Sequence, residues 1–191
     1  MRINTLFLVV IGLLCSAVWA VEPPKDPTPL FDIPRLEGIT IDGDPADWGG
    51  HGFRVGPLLT LDGKIRPSDN YDSRFRLGWN DQGILFVGFV RDSFIEEAEK
   101  MAELGGRDAV ELFMGTKRNT PGFYQLQVTS GADPKYGKAR WYAYDYRVDR
   151  EKLPAITATI AGKRTADGYV LEALLPFANL GITPALGLEV G

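Results

Sequence analysis

Residues 74–90 read RFRLGWNDQGILFVGFV, and this stretch decides the predicted fold. Arginines alternate with apolar residues in its first part, which places Phe75, Leu77 and Trp79 on one face of a strand. The polar run NDQG that follows is a turn signal, and the residues after it are apolar at nearly every position. The stretch therefore predicts a β-hairpin whose second strand is covered on both faces, as in the interior of a sandwich.

The same kind of alternation predicts further strands after this hairpin. They cover residues 109–115, 123–129, 140–147, 156–163 and 169–175, and another begins at 186–191. Residues 94–104 are rich in helix formers and end at Gly105, which predicts one short helix in a crossover. The predicted fold class is all-β, a two-sheet antiparallel β-sandwich of jelly-roll type that contains this short helix.

Composition excludes several classes of protein. The chain has 191 residues, which is enough for one domain, and its 45% hydrophobic and 24% charged residues exclude a disordered or collagen-like chain. The 22 glycines and 13 prolines favour short strands joined by tight turns over a helical bundle. The formal net charge is −4 and no basic stripe is present, so nucleic acid is not a predicted partner.

The first part of the chain has the layout of a targeting segment. Residues 1–20 carry Arg2, then an apolar run too short to span a membrane, then small residues that end at Ala20. This layout predicts a secretory signal peptide, and hence a secreted or periplasmic protein with no membrane span. Residues 21–38 contain five prolines and are predicted to be an extended lead-in to the sandwich.

Residues 39–191 are the predicted sandwich domain. Its last strand begins only at residue 186, and a sandwich without a closing strand exposes a hydrophobic edge that proteins usually protect. We therefore expect the domain to lack its last strand or strands here and to belong to a longer chain with other domains.

Cysteine and histidine content limits the chemistry. Cleavage after Ala20 would remove Cys15, the sole cysteine, which excludes disulfides and thiol catalysis in the mature chain. The single histidine, His51, excludes a multi-histidine zinc site. Asp108 and Glu111 could be the acid and nucleophile of a glycosidase, but residues three apart on a strand face opposite sides. No catalytic residue is predicted for this domain.

An acidic turn offers a candidate metal site. Asp42, Asp44 and Asp47 cluster around an Asp-Gly turn, and they are candidate ligands for a structural calcium ion. Their spacing does not match an EF-hand loop, and an ordinary turn is the alternative interpretation.

Polar residues of two neighbouring strands form a candidate binding face. If the strands at 109–115 and 123–129 pair with their apolar faces aligned, Glu111, Gln125 and Gln127 share the opposite face. A carboxylate and planar amides can each bond neighbouring hydroxyls of a polyol. The alternative is a solvated outer face of the sheet, where alternation places polar residues in any case.

Tyrosines add a second candidate element. Tyr142 and Tyr144, with Tyr146 after them, lie on one side of the predicted strand, and Trp141 lies on the other. Their rings could stack on successive sugar rings. The alternative is a surface of favourable cross-strand pairs, since tyrosine has a high strand propensity.

Four segments occur in the order typical of one family. They lie at residues 41–48, 75–92, 107–113 and 168–176, and together they resemble a family 9 carbohydrate-binding module. The resemblance implies an antiparallel sandwich that binds oligosaccharides or polysaccharides, often at the reducing ends of plant polysaccharides. It further implies a position beside a glycoside hydrolase domain in carbohydrate catabolism. It also implies that Glu111 bonds sugar hydroxyls, that Gln127 lies at a polar sugar contact, and that calcium binding is common.

Two other functions remain open on the sequence. Members of this family have a tryptophan wall of the sugar slot near the position of Gly105, so a structural or adaptor domain without sugar binding is one alternative. A b-type haem electron-transfer module is the other, because related sandwiches hold haem through methionine with histidine or lysine. Its candidate ligands would be His51, Met101 and Met114, although a core methionine is the simpler interpretation of Met114.

Overall fold

The structure, a computed structural model of the chain, describes residues 30–56, 71–117 and 120–191. The described strands are β1 (Phe53–Val55), β2 (Tyr71–Trp79), β3 (Gly83–Asp92), β4 (Val110–Gly115), β5 (Phe123–Thr129), β6 (Arg140–Asp145), β7 (Thr159–Arg164) and β8 (Gly168–Pro176). Four short 3₁₀ helices accompany them: η1 (Pro45–Trp48), η2 (Met101–Gly106), η3 (Arg150–Lys152) and η4 (Phe177–Leu180). All of these elements lie in one compact unit, Asp32–Gly191. The predicted signal peptide and residues 21–29 lie outside the described residues.

The described strands form two antiparallel sheets. One has five strands in the order β1-β2-β3-β8-β7, and the other has three in the order β4-β5-β6. The predicted hairpin is β2 and β3, and its turn is closed by the Asn80 amide, which donates to the Gly83 carbonyl at 3.0 Å. The predicted all-β sandwich is therefore confirmed.

The main core lies between the two sheets. Phe86 and Leu171 from the five-stranded sheet and Leu126 from the three-stranded sheet belong to one buried cluster. In β5 the inward residues are Tyr124, Leu126 and Val128, as period-two alternation requires. Burial of these side chains fixes which residues of the three-stranded sheet face outward.

A second cluster covers the outer side of the five-stranded sheet. Leu36 and Trp48, from the segment before β1, pack there against Leu85, Val87 and Val170. This cover explains why β3 is apolar at nearly every position, since its residues are buried on both faces.

A buried carboxylate joins that segment to β8. Glu172 accepts hydrogen bonds from Trp48 Nε1 at 2.8 Å and from the Gly43 and Asp42 amides at 2.7 and 3.2 Å. Burial raises the pKa of the Glu172 carboxyl above its usual range, and the three hydrogen bonds partly oppose the rise. The acidic turn is thus anchored through its backbone.

Two predicted elements differ from the structure. The helix expected over 94–104 is observed as the 3₁₀ helix η2, because the residues before it hydrogen-bond to other parts of the chain: the Glu97 amide donates to Asp133 Oδ2 at 3.2 Å. The strand expected over 186–191 does not form. Leu188 donates to the Ala185 carbonyl in a turn, and Gly191 alone exchanges two backbone hydrogen bonds with Gly115.

None of the helices in the part of the chain that the structure describes is both long and apolar enough to cross a membrane.

Candidate functional site

The outer face of the three-stranded sheet carries the predicted binding residues. Side chains at Val110, Leu112 and Met114 of β4 pack against the main core. The residues between them, Glu111 and Phe113, therefore face outward and are exposed. We call this surface, formed by β4, β5 and β6 on the side away from the main core, the outer face.

Strand register arranges the outer face in three rows that run across the strands. The first row is Glu111, Gln127 and Tyr142, and the second is Phe113, Gln125 and Tyr144. In the third row Phe123 pairs with Gly115, and the Tyr146 amide donates to the Phe123 carbonyl at 2.9 Å. The sheet thus places a carboxylate, two primary amides and five aromatic rings on one surface.

The first row contains a polar pair. Gln127 Nε2 donates to Glu111 Oε1 at 2.8 Å, so the amide orients the carboxylate. The Gln127 side chain is buried, and its Oε1 has no hydrogen-bond partner among the described residues. Glu111 is exposed and can accept further hydrogen bonds from a ligand.

Aromatic rings surround Gln125 in the second and third rows. Ring centroids are 5.9 Å apart for Phe113 and Phe123, 5.0 Å for Phe123 and Tyr146, and 6.2 Å for Tyr144 and Tyr146. Phe113, Phe123 and Tyr146 are 53%, 38% and 48% exposed, respectively. These four rings form a connected apolar surface that is open to solvent, and we call it the aromatic platform.

Helix η2 lies on the outer face and contacts two of its rows. The Tyr144 hydroxyl of β6 donates to the Ala102 carbonyl at 2.7 Å. At the other end of the helix, Gly105 is so close to the polar pair that a Cβ there would overlap Glu111 Oε1 and Gln127 Nε2. Helix η2 therefore lies over the first row at Gly105 and contacts the aromatic platform at Tyr144 through Ala102.

The crossover that carries η2 is anchored by a buried ion pair. Arg140 Nη2 lies 3.2 Å from Glu97 Oε2, and both side chains are almost completely buried. The Ser130 hydroxyl donates to Glu97 Oε1 at 3.2 Å, and the Arg140 guanidinium lies 3.6 Å from the Tyr136 ring centroid. These contacts fix the segment before η2 to the ends of β5 and β6.

Asp108 closes the same crossover. Its Oδ2 accepts from the Glu96 amide at 2.6 Å, and its own amide donates to the Glu96 carbonyl at 3.0 Å. Burial and the neighbouring carboxylates raise the pKa of Asp108, whereas the hydrogen bond from Glu96 lowers it. Asp108 therefore stabilises the crossover through the backbone of Glu96. Glu111 has a different partner, Gln127.

The structure brings the predicted site residues together. Glu111, Gln125, Gln127, Tyr142 and Tyr144 all lie on the outer face, in the first and second rows. Phe113 and Phe123 lie on the same face by the alternation of β4 and β5, and they were not among the predicted site residues. The sequence contained a signal for these two residues, because each is a large apolar residue on the face where alternation predicts polar ones. Large apolar residues exposed on such a face indicate a contact surface.

The acidic turn carries the three carboxylates that are the candidate calcium ligands. Among the residues that the structure describes, no group of three or more histidines, cysteines or acidic residues could hold a metal ion. Asp42 and Asp44 accept instead from backbone amides within the turn, at 2.8 and 3.2 Å, and Asp47 accepts from the Thr40 amide at 2.7 Å. The carboxylates are used to cap the turn and η1.

The residues of the haem alternative are dispersed. Met114 packs against the main core, Met101 begins η2, and His51 follows η1 on the outer side of the five-stranded sheet. Paired axial ligands must approach one iron from both sides, and here Met114 faces the interior of the described sandwich whereas Met101 and His51 are exposed on separate elements.

Comparison with solved structures identifies the fold. The chain is similar to a family 9 carbohydrate-binding module from Caldicellulosiruptor kristjanssonii solved with cellotriose, with a TM-score of 0.58 and 17% identity over 83% of this chain and 71% of that one. It is also similar to a module of the same family and organism solved with glucose, with a TM-score of 0.55 and 16% identity over 80% and 70% of the two chains. No family model and no curated protein matches the sequence. The chain thus has a fold like that of family 9 modules, as its sequence motifs predicted.

Proposed function

We propose that this chain is a noncatalytic carbohydrate-binding module and that its outer face binds an oligosaccharide or polysaccharide. The observation that carries the proposal is the surface itself, on which Gln125 lies among four rings and the Glu111–Gln127 pair lies beside them. Aromatic rings pack on the C–H faces of sugars, and amides and carboxylates bond their hydroxyls. The modules with a similar fold that hold cellotriose and glucose support the same class of ligand.

The arrangement of carboxylates favours binding over cleavage. Glycoside hydrolysis requires two carboxyl groups at a fixed separation across the scissile bond. Among the described strand residues of the outer face, Glu111 is the one carboxylate, and Asp108 is engaged with the backbone of Glu96. Hydrolysis would then be performed by a glycoside hydrolase domain that acts together with this module in carbohydrate catabolism.

The proposal includes export from the cytoplasm. Residues 1–20 have the pattern of a cleaved signal peptide, and extracellular or periplasmic glycans are accessible only to an exported protein. A module of this kind would belong to a longer chain and would hold a catalytic partner close to its substrate, raising the local concentration of the enzyme.

A calorimetric titration tests sugar binding. The protein is titrated with a panel of soluble oligosaccharides, and insoluble polysaccharides are tested by sedimentation. We expect saturable binding that Gln125→Ala weakens by about 1 to 3 kcal/mol, because the deletion removes a hydrogen-bonding group from the contact. Gln82→Ala, the same deletion in the exposed turn between β2 and β3, is the matched control and should bind as the unaltered protein does.

If the folded protein binds no glycan in either assay, the proposal is wrong. The structural or adaptor alternative would then account for the retained sandwich.

A further inference from the structure

We propose that the sugar chain lies across the strands of the three-stranded sheet, on the aromatic platform, in a groove that is open at both ends. This inference rests on the proposed function and specifies the class of ligand. The module would recognise internal units of a linear glycan with flat C–H ring faces, and it would not require the end of the chain.

The direction of the groove follows from the arrangement of the rows. The second row runs from Phe113 on β4, through Gln125 on β5, to Tyr144 on β6. In the described three-stranded sheet β4 and β6 are the edge strands, so the row extends from one edge to the other. Three neighbouring strands at about 4.8 Å spacing span roughly 10 Å, which is longer than one sugar ring.

Helix η2 forms a side wall of this groove. It contacts Tyr144 of the second row through Ala102 and the Glu111–Gln127 pair of the first row through Gly105, so it lies over the first row and reaches the edge of the platform at Tyr144. It leaves Phe113, Phe123 and Tyr146 exposed, so a chain that lies on these rings can pass beside it. A ligand oriented along the strands would instead meet η2 at the first row.

The rings of the platform are exposed, whereas Gln127 in the first row is covered. Phe113, Phe123 and Tyr146 are substantially exposed, whereas Gln127 beneath η2 is buried. Sugar rings can therefore stack on Phe113, Phe123 and Tyr146 without displacing any element that the structure describes. Every unit of a regular glycan presents the same ring face, so any internal unit of the chain can stack on the platform.

Gln125 supplies the polar contact in the centre of the platform. The Tyr146 hydroxyl donates to its Oε1 at 3.4 Å, and its Nε2 donates to no described residue. The Gln125 side chain is half-buried among the rings. Its free N–H groups can donate to hydroxyl oxygens at the edge of a stacked sugar. Glu111, exposed at the wall, can accept from hydroxyls along the same edge.

The inference is tested with the full chain and cello-oligosaccharides and xylo-oligosaccharides of increasing length as probes. Each is used intact and after borohydride has converted its reducing end to an alditol. We expect affinity to rise by about tenfold or more from the monosaccharide to the hexasaccharide, because added units contact further rings. Reduction of the hexasaccharide should leave its affinity unchanged.

Variants place the contact on the platform. Phe123→Ala should lower affinity for the longest probe by about tenfold, and Tyr146→Ala by a similar factor, since each removes a stacked ring. Phe94→Ala, which removes an exposed phenylalanine from the crossover outside the outer face, is the matched control and should have no effect. A thermal melt of each variant confirms that it is folded.

Two results would overturn the inference. If reduction of the chain end abolishes binding, or if Phe123→Ala and Tyr146→Ala bind normally while Glu111→Ala does not, an end-binding site at the first row replaces the open groove and the proposed function remains. If the folded protein binds none of the probes or polysaccharides, the proposed function and this inference are both wrong.

Discussion

Glu172 shows how one buried side chain contributes to pH-dependent stability. Its pKa is raised in the folded protein, so the folded state holds this proton more tightly than the unfolded chain, whose glutamates titrate near 4.5. The free energy of unfolding should therefore fall as the pH rises from about 4.5 through the raised pKa. The segment before β1 becomes easier to detach over that range.

Glu172→Gln should remove this slope from the pH profile of stability. It should also destabilise the protein at neutral pH by about 1 to 3 kcal/mol, because an amide offers one acceptor oxygen where the carboxylate receives three donors. Denaturant unfolding across the pH range measures both effects. Glu151→Gln, at an exposed glutamate of η3, is the control, and a variant profile that keeps the slope would contradict the assignment.

Gly105 is required for the approach of η2 to the outer face. Gly105→Ala places a methyl group against Glu111 and Gln127, so either their hydrogen bond breaks or η2 moves away. We expect a loss of about 1 kcal/mol in unfolding free energy, at the low end for overpacked sites, because the overlapped atoms are the ends of side chains that can move. Gly106→Ala, next to it in the chain with nothing near its Cβ position, should be almost neutral. Equal stability of the two variants would show that η2 does not rest on the polar pair.

At the scale of elements, the crossover depends on Arg140 and Glu97. Arg140→Met would leave the Glu97 carboxylate buried without its partner, which typically costs about 3 to 5 kcal/mol. The double variant Glu97→Gln/Arg140→Met removes both charges and should recover more than half of that loss. Chemical denaturation of the three proteins measures the effect.

The control for the crossover is an exposed ion pair of the same region. Lys135 and Glu99 lie 3.0 Å apart with both side chains largely in solvent, and Lys135→Met should change the unfolding midpoint little. If Arg140→Met is as mild as this control, the buried pair does not anchor the crossover.

The elements that could be predicted are those with a strong period. The β2–β3 hairpin follows from alternation around NDQG, and the shared face of Glu111 and Gln127 follows from alternation in β4 and β5. The course of the crossover could not be predicted in this way. Helix propensity favours an α-helix at residues 94–104, but the bonds of Glu96 and Glu97 to Asp108, Asp133 and Arg140 are long-range and decide the outcome.

The candidate site could be predicted only in part, because its residues follow from strand alternation but the position of η2 depends on long-range contacts. Register placed the five predicted residues on one surface, yet nothing local in the sequence shows that η2 contacts Tyr144 and the Glu111–Gln127 pair and leaves Phe113, Phe123 and Tyr146 exposed. The calcium site stays a prediction, and in the folded turn Asp42 and Asp44 have backbone partners that alternation does not indicate.

At the scale of the whole molecule, the proposal of an exported module predicts a processed protein. When the chain is expressed in a host with an export pathway, intact-mass analysis should find a mature protein that begins at Val21. Ala20→Arg should block this cleavage, because a bulky charged residue replaces the small one at the cleavage site. An exported protein that still contains residues 1–20 would contradict the prediction, and the same chain produced without export should retain them.

The two faces of the sandwich have different roles. The outer side of the five-stranded sheet is partly covered by Leu36 and Trp48, whereas the outer face of the three-stranded sheet exposes its rings. The proposed binding surface and the cover that stabilises the five-stranded sheet therefore lie on opposite sides of the sandwich.

The anchoring of the acidic turn by Glu172 also has a dynamic consequence. The Gly43 amide donates into a buried carboxylate, whereas the Asp44 amide donates to the exposed side chain of Asp42. Local fraying is enough for the Asp44 proton to exchange with deuterium, but the Gly43 proton can exchange only when Trp48 and its segment leave the sheet. Its exchange rate therefore reports the opening equilibrium of that segment, separately from global unfolding.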